Sequence, residues 1–290
     1  LTYRFDTDGL EQLEIFSLNQ AESLKAIAAK IKEIRKLDET LFSTLSEYTS
    51  NPIHKDVNPK KGRNLTERFE SELRLIENNF DPRVKEVLGN YYIHDKKFVV
   101  GVPKELIPKW VKDINEDTKV ANLGAYVKPY YRDMTYFYGI DLHQDSIDWP
   151  KQNTDMITLY VYLEDVDELS SPLHVVPKSY EQGVDTFPHD VTPLSDGRCI
   201  YNKKEYNIIK LTGRAGTTYF WHSCTLHGIA PTKSSKPQIL LRYLLRKNET
   251  DLDRLNINMG GPQVPTKCRM DLDKSGKPVL GYKQMKDIDK

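Results

Sequence analysis

Tyr136-Phe137-Tyr138-Gly139-Ile140-Asp141-Leu142-His143-Gln144-Asp145 reads as a short aromatic strand that ends in a His-x-Asp pair. Residues two apart on a strand point the same way, so His143 and Asp145 can offer an imidazole nitrogen and a carboxylate oxygen to one point. Two histidines and one carboxylate on one face of a metal leave the opposite face open for substrate and oxygen. The third ligand should therefore be a histidine on another strand. His227, in Leu226-His227-Gly228-Ile229 and just ahead of the strand-like run Gln238 to Arg246, is that candidate. A His-x-Asp pair by itself is weak, since a salt-bridged histidine at a strand end looks the same.

Around this stretch the chain is dominated by β runs separated by turn signals, near 119–127, 135–142, 156–164, 172–176, 207–211, 217–221, 225–229 and 238–246. That order predicts a double-sheet jelly roll rather than βαβ units. The expected fold is mainly β with helical decoration. A double-stranded β-helix (jelly roll, cupin-like) core carries a helical N-terminal region packed on it. We expect one catalytic domain, with residues 1–118 mostly helical, 119–246 the jelly-roll core and 247–290 a polar tail. Within the first part, Leu24, Ile27, Ile31, Ile34, Leu37, Leu41, Leu45 and Tyr48 recur at helical spacing after a polar start at Ser17 to Gln20. This gives one helix, or two broken near Asp38-Glu39. Leu65 to Asn78 is helical by pattern, Asp81-Pro82 should open a further short helix ended by Gly89, and Lys97 to Val102 reads as a strand. Pro177 to Tyr206 is too long for a simple turn and reads as a lid loop over the open metal face.

With 42 basic against 42 acidic residues, the chain has no global field to hold nucleic acid or an anionic membrane surface. No apolar run reaches the roughly 18 residues of a membrane span. Neither nucleic acid nor membrane is an expected partner; oligomeric state is not encoded legibly. Cys199, Cys224 and Cys268 form neither an even set nor a Cys-x-x-Cys pair, which suits the cytoplasm or another reducing compartment. The sequence opens at Leu1 rather than Met, so a removed leader stays open.

Several segments in order resemble the phytanoyl-CoA dioxygenase-like branch of the non-haem Fe(II)/2-oxoglutarate-dependent oxygenases. They are Tyr136 to Asp145, Asp155 to Asp165, Ser171-Pro172-Leu173-His174-Val175-Val176-Pro177-Lys178-Ser179-Tyr180, and Gly213 through His227-Gly228 to the arginine-bearing strand. The third is similar to the family's G-x-L-x-V-x-P-G-S-H signature, with Lys178 and Tyr180 in place of its Gly and His. The resemblance implies Fe(II) held by His143, Asp145 and His227, with 2-oxoglutarate and O2 as cosubstrates and succinate and CO2 as products. It implies oxidation of an unactivated C–H bond in a small molecule. Halogenating relatives lack the carboxylate, so Asp145 points to hydroxylation, desaturation or oxidative cyclisation, as in natural-product biosynthesis.

The far carboxylate of 2-oxoglutarate needs a paired cation, and arginine's fork suits it. Gln238, Leu240, Arg242, Leu244 and Arg246 share one face of their strand, and Arg242 lies between two leucines. The family arginine falls about eleven residues after the distal histidine, which is Gln238 here. Arg242 comes fifteen after His227 and is reconciled by four extra residues in the loop Pro231 to Pro237. Otherwise Arg242 would hold the substrate's own acid group, with Arg246 as a second candidate. Tyr136, Thr158 and Tyr160 offer hydroxyl partners for the same carboxylate or the metal-bound end. Trp149 and Trp221 could wall the substrate chamber, and Tyr130 and Arg132 lie on the approach to it, favouring a polar, acid-bearing substrate. The remaining histidines, His54, His94, His174, His189 and His222, read as structural. Two other readings compete: a cupin-like metalloenzyme that does without 2-oxoglutarate, and a non-enzymatic jelly-roll binding module.

Overall fold

A computed structural model describes residues 3–50, 65–118, 123–148, 156–185 and 189–248, with the side chains of 114–118 left aside. The chain opens with a single turn, α1 (Phe5–Asp8), and a strand, β1 (Leu10–Leu13). Ser17 then starts α2 (Leu18–Arg35). Its side chain accepts from the Gln20 N–H while the Gln20 side chain accepts from the Ser17 N–H, a reciprocal cap that satisfies two otherwise orphaned donors. Leu24, Ile27, Ala28 and Ile31 form the buried stripe of this helix. Lys36, in left-handed conformation, ends it, and a 3-10 turn at Glu39–Leu41 separates it from α3 (Leu45–Ser50). The expected break near Asp38-Glu39 is thus present.

A 3-10 turn at Leu65–Phe69 leads into α4 (Glu70–Leu88), followed by β2 (Tyr91–Gly101) and α5 (Lys109–Thr118). Contrary to the sequence reading, Pro82 does not start a new helix but lies inside α4, which runs on to Gly89. An interior proline costs about 3 kcal/mol. Leu73, Ile76, Phe80, Val84 and Leu88 make one continuous buried row, and at roughly 1.5–3 kcal/mol per fully buried side chain that row outweighs the proline.

From Thr135 onward the chain is β-rich: β3 (Thr135–Phe137), β4 (Ile140–His143), β5 (Met156–Tyr162), β6 (Leu173–Val175), β7 (Val191–Pro193), β8 (Arg198–Tyr201), β9 (Lys204–Asn207), β10 (Ile209–Leu211), β11 (Thr218–His222), β12 (His227–Ile229) and β13 (Gln238–Lys247). The described part of the run expected at 119–127 is a turn carrying one isolated bridge, Phe42 to Val127, and residues 119–122 lie outside the described residues.

Six strands form one sheet in the order β1-β11-β5-β13-β2-β3, and four form another, β10-β6-β12-β4. Alternation along the strands sends the two faces of the larger sheet into different cores. Ile157, Leu159, Val161, Phe220, Leu241 and Tyr243 pack with the helices. Tyr160, Tyr162, Tyr219, Trp221, Val99 and Leu240 face the smaller sheet's Ile140, Leu173, Val175 and Ile229. A helical layer therefore backs a sheet whose other face meets a second sheet. Two strands of the larger sheet, β1 and β2, come from the stretch read as the helical N-terminal region, so the boundary at 118 does not divide the sheet.

The stretch expected to be a lid loop carries a third sheet, β7-β8-β9. Asn202 and Lys203, both at positive φ, make the two-residue turn between β8 and β9, whose Tyr201 and Lys204 pair. Its core, Val191, Cys199, Tyr201 and Tyr206, joins Leu142, Val176 and Leu226 beside the metal-ligand strands. No described helix is long and apolar enough to cross a membrane.

Candidate metal centre

β4 and β12 pair so that His143 lies directly across from His227, and their rings sit 4.4 Å apart. Gly228 allows this approach. A side chain there would place its Cβ 2.6 Å from the Ile140 carbonyl oxygen, inside the neighbouring backbone. β4 ends at His143, and Asp145 begins a 3-10 turn (Asp145–Asp148) rather than continuing the strand. The carboxylate still converges. Among the described residues, His143, Asp145 and His227 offer ligand atoms that all lie within 4.8 Å of one another.

Each imidazole is oriented from behind. Nδ1 of His143 donates to the Asp141 carbonyl at 2.8 Å and Nδ1 of His227 to the Thr225 carbonyl at 3.0 Å, which leaves Nε2 of each ring for a metal. The Thr158 hydroxyl donates to Oδ2 of Asp145, while Oδ1 faces Nε2 of His227 at 3.5 Å. All three ligands are buried. Burial and the neighbouring His227 hold the pKa of His143 down to about 3. Burial alone would raise Asp145, but the imidazoles and the Thr158 hydroxyl reverse that and keep it ionised, well below the usual carboxylate range. For His227, burial opposes protonation, yet the Asp145 carboxylate prevails and its pKa rises. Two imidazole nitrogens and one ionised carboxylate on one side of a point form the facial donor set suited to Fe(II).

Gln144, between two ligands, is fully buried. Its side-chain NH2 donates to the carbonyls of Gly183 (2.8 Å) and Cys224 (3.0 Å). Its Oε1 accepts from the Asp185 N–H (3.0 Å) and the Ser146 hydroxyl (3.1 Å). The backbone N–H of Gln144 donates to Nε2 of His189 at 3.1 Å, giving that histidine a structural role. This clamp was not foreseen, because a glutamine between ligands carries no spacing signal.

Trp221 packs on His227 at 5.0 Å and on Tyr160 at 4.9 Å, and its buried indole N–H has no hydrogen-bond partner among the described residues. It thus packs directly against one of the three ligands. Tyr160 stands opposite Arg242 in the β5–β13 register, and the Arg242 charge acts on both the Tyr160 hydroxyl and His227. Thr158 is in the site, where its hydroxyl donates to Asp145.

Gln238 and Arg246 share the Arg242 face. Gln238, opposite Gly101, has a buried side-chain NH2 without a partner among the described residues, whereas Arg246 is half-buried opposite Met156. Tyr136 does not join them. It lies in the helix-side core and its hydroxyl donates to the Tyr131 carbonyl, because the break at Tyr138-Gly139 puts β3 and β4 in different sheets. Arg132 donates to the carbonyls of Val127 and Ala125 and shapes its own loop. Tyr130 is exposed with its ring over Arg35. Trp149 and His54 lie outside the described residues. His222 faces Phe5 and Tyr180, and Nδ1 of His174 donates to the Pro172 carbonyl, so neither joins the ligand cluster.

The sequence profile of the phytanoyl-CoA dioxygenase (PhyH) family matches residues 12–239. An L-proline trans-4-hydroxylase from Streptomyces griseoviridis is 25% identical over 162 residues, which cover 49% of this chain and 57% of that protein. The aligned part therefore spans just over half the relative's length. Among solved structures, the non-haem alpha-ketoglutarate-dependent epimerase SnoN from nogalamycin biosynthesis superposes with a TM-score of 0.50 at 12% identity, covering 84% of this chain and 80% of that one. The corresponding carbocyclase SnoK gives 0.48 at 10% identity, with 84% and 81% covered. At 12% identity the SnoN likeness speaks for the fold alone. Since the profile match runs from β1 into β13 and takes in all three ligands, the chain belongs to the phytanoyl-CoA dioxygenase family.

Proposed function

We propose that the protein is a non-haem Fe(II)/2-oxoglutarate-dependent dioxygenase that oxidises an unactivated C–H bond of a small, acid-bearing metabolite. The convergence of His143, Asp145 and His227 within 4.8 Å carries this reading. Family membership supports it. The two larger sheets read as the halves of a double-stranded β-helix, and residues 3–248 as one catalytic unit.

With iron, 2-oxoglutarate and O2 bound, the centre would supply the oxidising power for C–H cleavage, releasing succinate and CO2. The chain's own part is binding and orientation. Thr225 and Asp141 fix the ligand rings through their carbonyls, Thr158 fixes the carboxylate, and Trp221 keeps water from one side. Arg242, on the face that meets the smaller sheet, is the anchor for the far carboxylate of 2-oxoglutarate. The proline hydroxylase match supports a free amino acid or a molecule of similar size as substrate.

Anaerobic titration of the metal-free protein with Fe(II) and 2-oxoglutarate tests the assignment. A weak visible charge-transfer band should appear in the wild type and vanish in His143→Ala. Its absence from the wild type would overturn the oxygenase reading. Succinate release then separates an oxygenase from a cupin-like enzyme using the same ligands without 2-oxoglutarate. Loss of 2-oxoglutarate binding in Arg242→Ala is expected; unchanged binding would reject that anchor alone.

A further inference from the structure

β4 is the edge strand of its sheet, and Gln144 lies just beyond its last pair with β12, His143 to His227. The Gln144 N–H therefore has no strand to donate to. His189 takes it on Nε2 at 3.1 Å. A neutral imidazole that accepts at Nε2 carries its hydrogen on Nδ1, and Nδ1 faces Oδ2 of Asp185 at 3.6 Å. Asp185 closes the circle, its own N–H donating to Oε1 of Gln144 at 3.0 Å. Gln144, His189 and Asp185 thus form a ring of contacts that grips both the peptide and the side chain of the residue between two ligands. Tyr201 on β8 braces it, standing edge-on to the His189 imidazole with centroids 6.2 Å apart and accepting from the Gln144 NH2 at 3.4 Å. Asn202 donates to the same Asp185 oxygen at 3.2 Å.

We propose that His189, aimed by Asp185, is a positioning residue for the metal centre, fixing the Gln144 peptide and through it the angle between the His143 and Asp145 side chains. This rests on the metal-centre reading above. The Gln144 N–H lies in the peptide plane that joins it to His143, so holding that N–H restrains the backbone on the Gln144 side of His143. Asp145 stands on a 3-10 turn, where strand alternation no longer keeps it in line with His143. On its far side the Ser146 N–H is tied to the Ser223 carbonyl at 3.2 Å. A loop carbonyl could have satisfied the Gln144 N–H, whereas a histidine whose side chain is 0% exposed, with a carboxylate to set its tautomer, costs more to bury. The imidazole supplies rigidity in return. Held at both nitrogens, the ring cannot turn away, while a loop carbonyl would follow its loop.

Co(II) binding to the full chain tests this, read by competition with a coloured chelator and by the visible absorption of the bound ion, which reports ligand geometry. His189→Gln keeps an acceptor where Nε2 stands, whereas His189→Asn keeps a polar group only on the side of Asp185. His189→Asn and His189→Leu should bind Co(II) about tenfold more weakly, the lower end for losing a group behind metal ligands, and should shift the absorption. His189→Gln should recover most of the affinity and the wild-type spectrum, and Asp185→Asn should fall between. Urea unfolding of the metal-free variants separates positioning from stability. Loss of stability with wild-type Co(II) affinity and spectrum would overturn the proposal, and so would equal losses in the asparagine and glutamine variants. Should His189→Leu fail to fold, the asparagine and glutamine variants decide alone. A wild type that binds no Co(II) would instead remove the metal-centre reading beneath it.

Discussion

Replacing Thr158 by valine removes one hydroxyl and almost nothing else, because the two side chains have nearly the same shape. Thr158 is 1% exposed and Asp145 8%, so no solvent stands ready to replace the lost donor. A hydrogen bond to an ionised group is worth about 1.5–3 kcal/mol. Lost from behind a metal ligand, that is a weakening of metal binding by roughly 10- to 100-fold. The carboxylate would also be freer to rotate away from its aim beside His227. Competition between the protein and a coloured chelator for Co(II), at fixed pH, reads the affinity directly. Thr158→Ser restores the hydroxyl and should restore most of the affinity. A valine variant that folds normally and binds Co(II) as well as the wild type would refute the idea that Thr158 orients Asp145.

Gln144→Leu strips partners from two carbonyls, one N–H and one hydroxyl in a buried place, and should cost roughly 3 kcal/mol or more in urea unfolding. A loss below about 1 kcal/mol would mean that the clamp is dispensable. Metal affinity should fall with acidity. The raised pKa of His227 means that a proton must leave before the metal binds, while His143, held down to about 3, is already neutral. Below the raised value the affinity should drop about tenfold per pH unit, one proton per metal; a slope of zero or two by the same Co(II) competition would contradict this. In the metal-free protein the sign is opposite. There the protonated His227 stabilises the fold at low pH, and that contribution is lost as pH rises through its folded-state pKa.

The ligands were legible because their chemistry is local: a His-x-Asp at the end of a strand and a histidine at the start of another. Even so, Asp145 stands on a helical turn rather than on the strand, and two-residue alternation reached the right result by a different geometry. The segment Tyr136 to Asp145, read as one strand, is broken between β3 and β4, which go to different sheets, and this puts Tyr136 in the helix-side core. Alternation held along β13, which pairs with β5 in one register from Leu240 to Arg246 and puts Arg242 on the face of Leu240, between the sheets. The small sheet at 191–207 escaped notice because strands of three or four residues are too short to show a period. Lys97 was visible as the start of a strand. Its pairing with Arg242 was not, for pairing between residues 145 positions apart is decided by tertiary packing.

Gln144 sits where two jobs meet. Whatever lifts the 183–185 segment to admit or release a molecule on that side has to break contacts on the residue lodged between His143 and Asp145. Any displacement at Gly183 or Asp185 is thereby coupled to the two ligands that Gln144 separates.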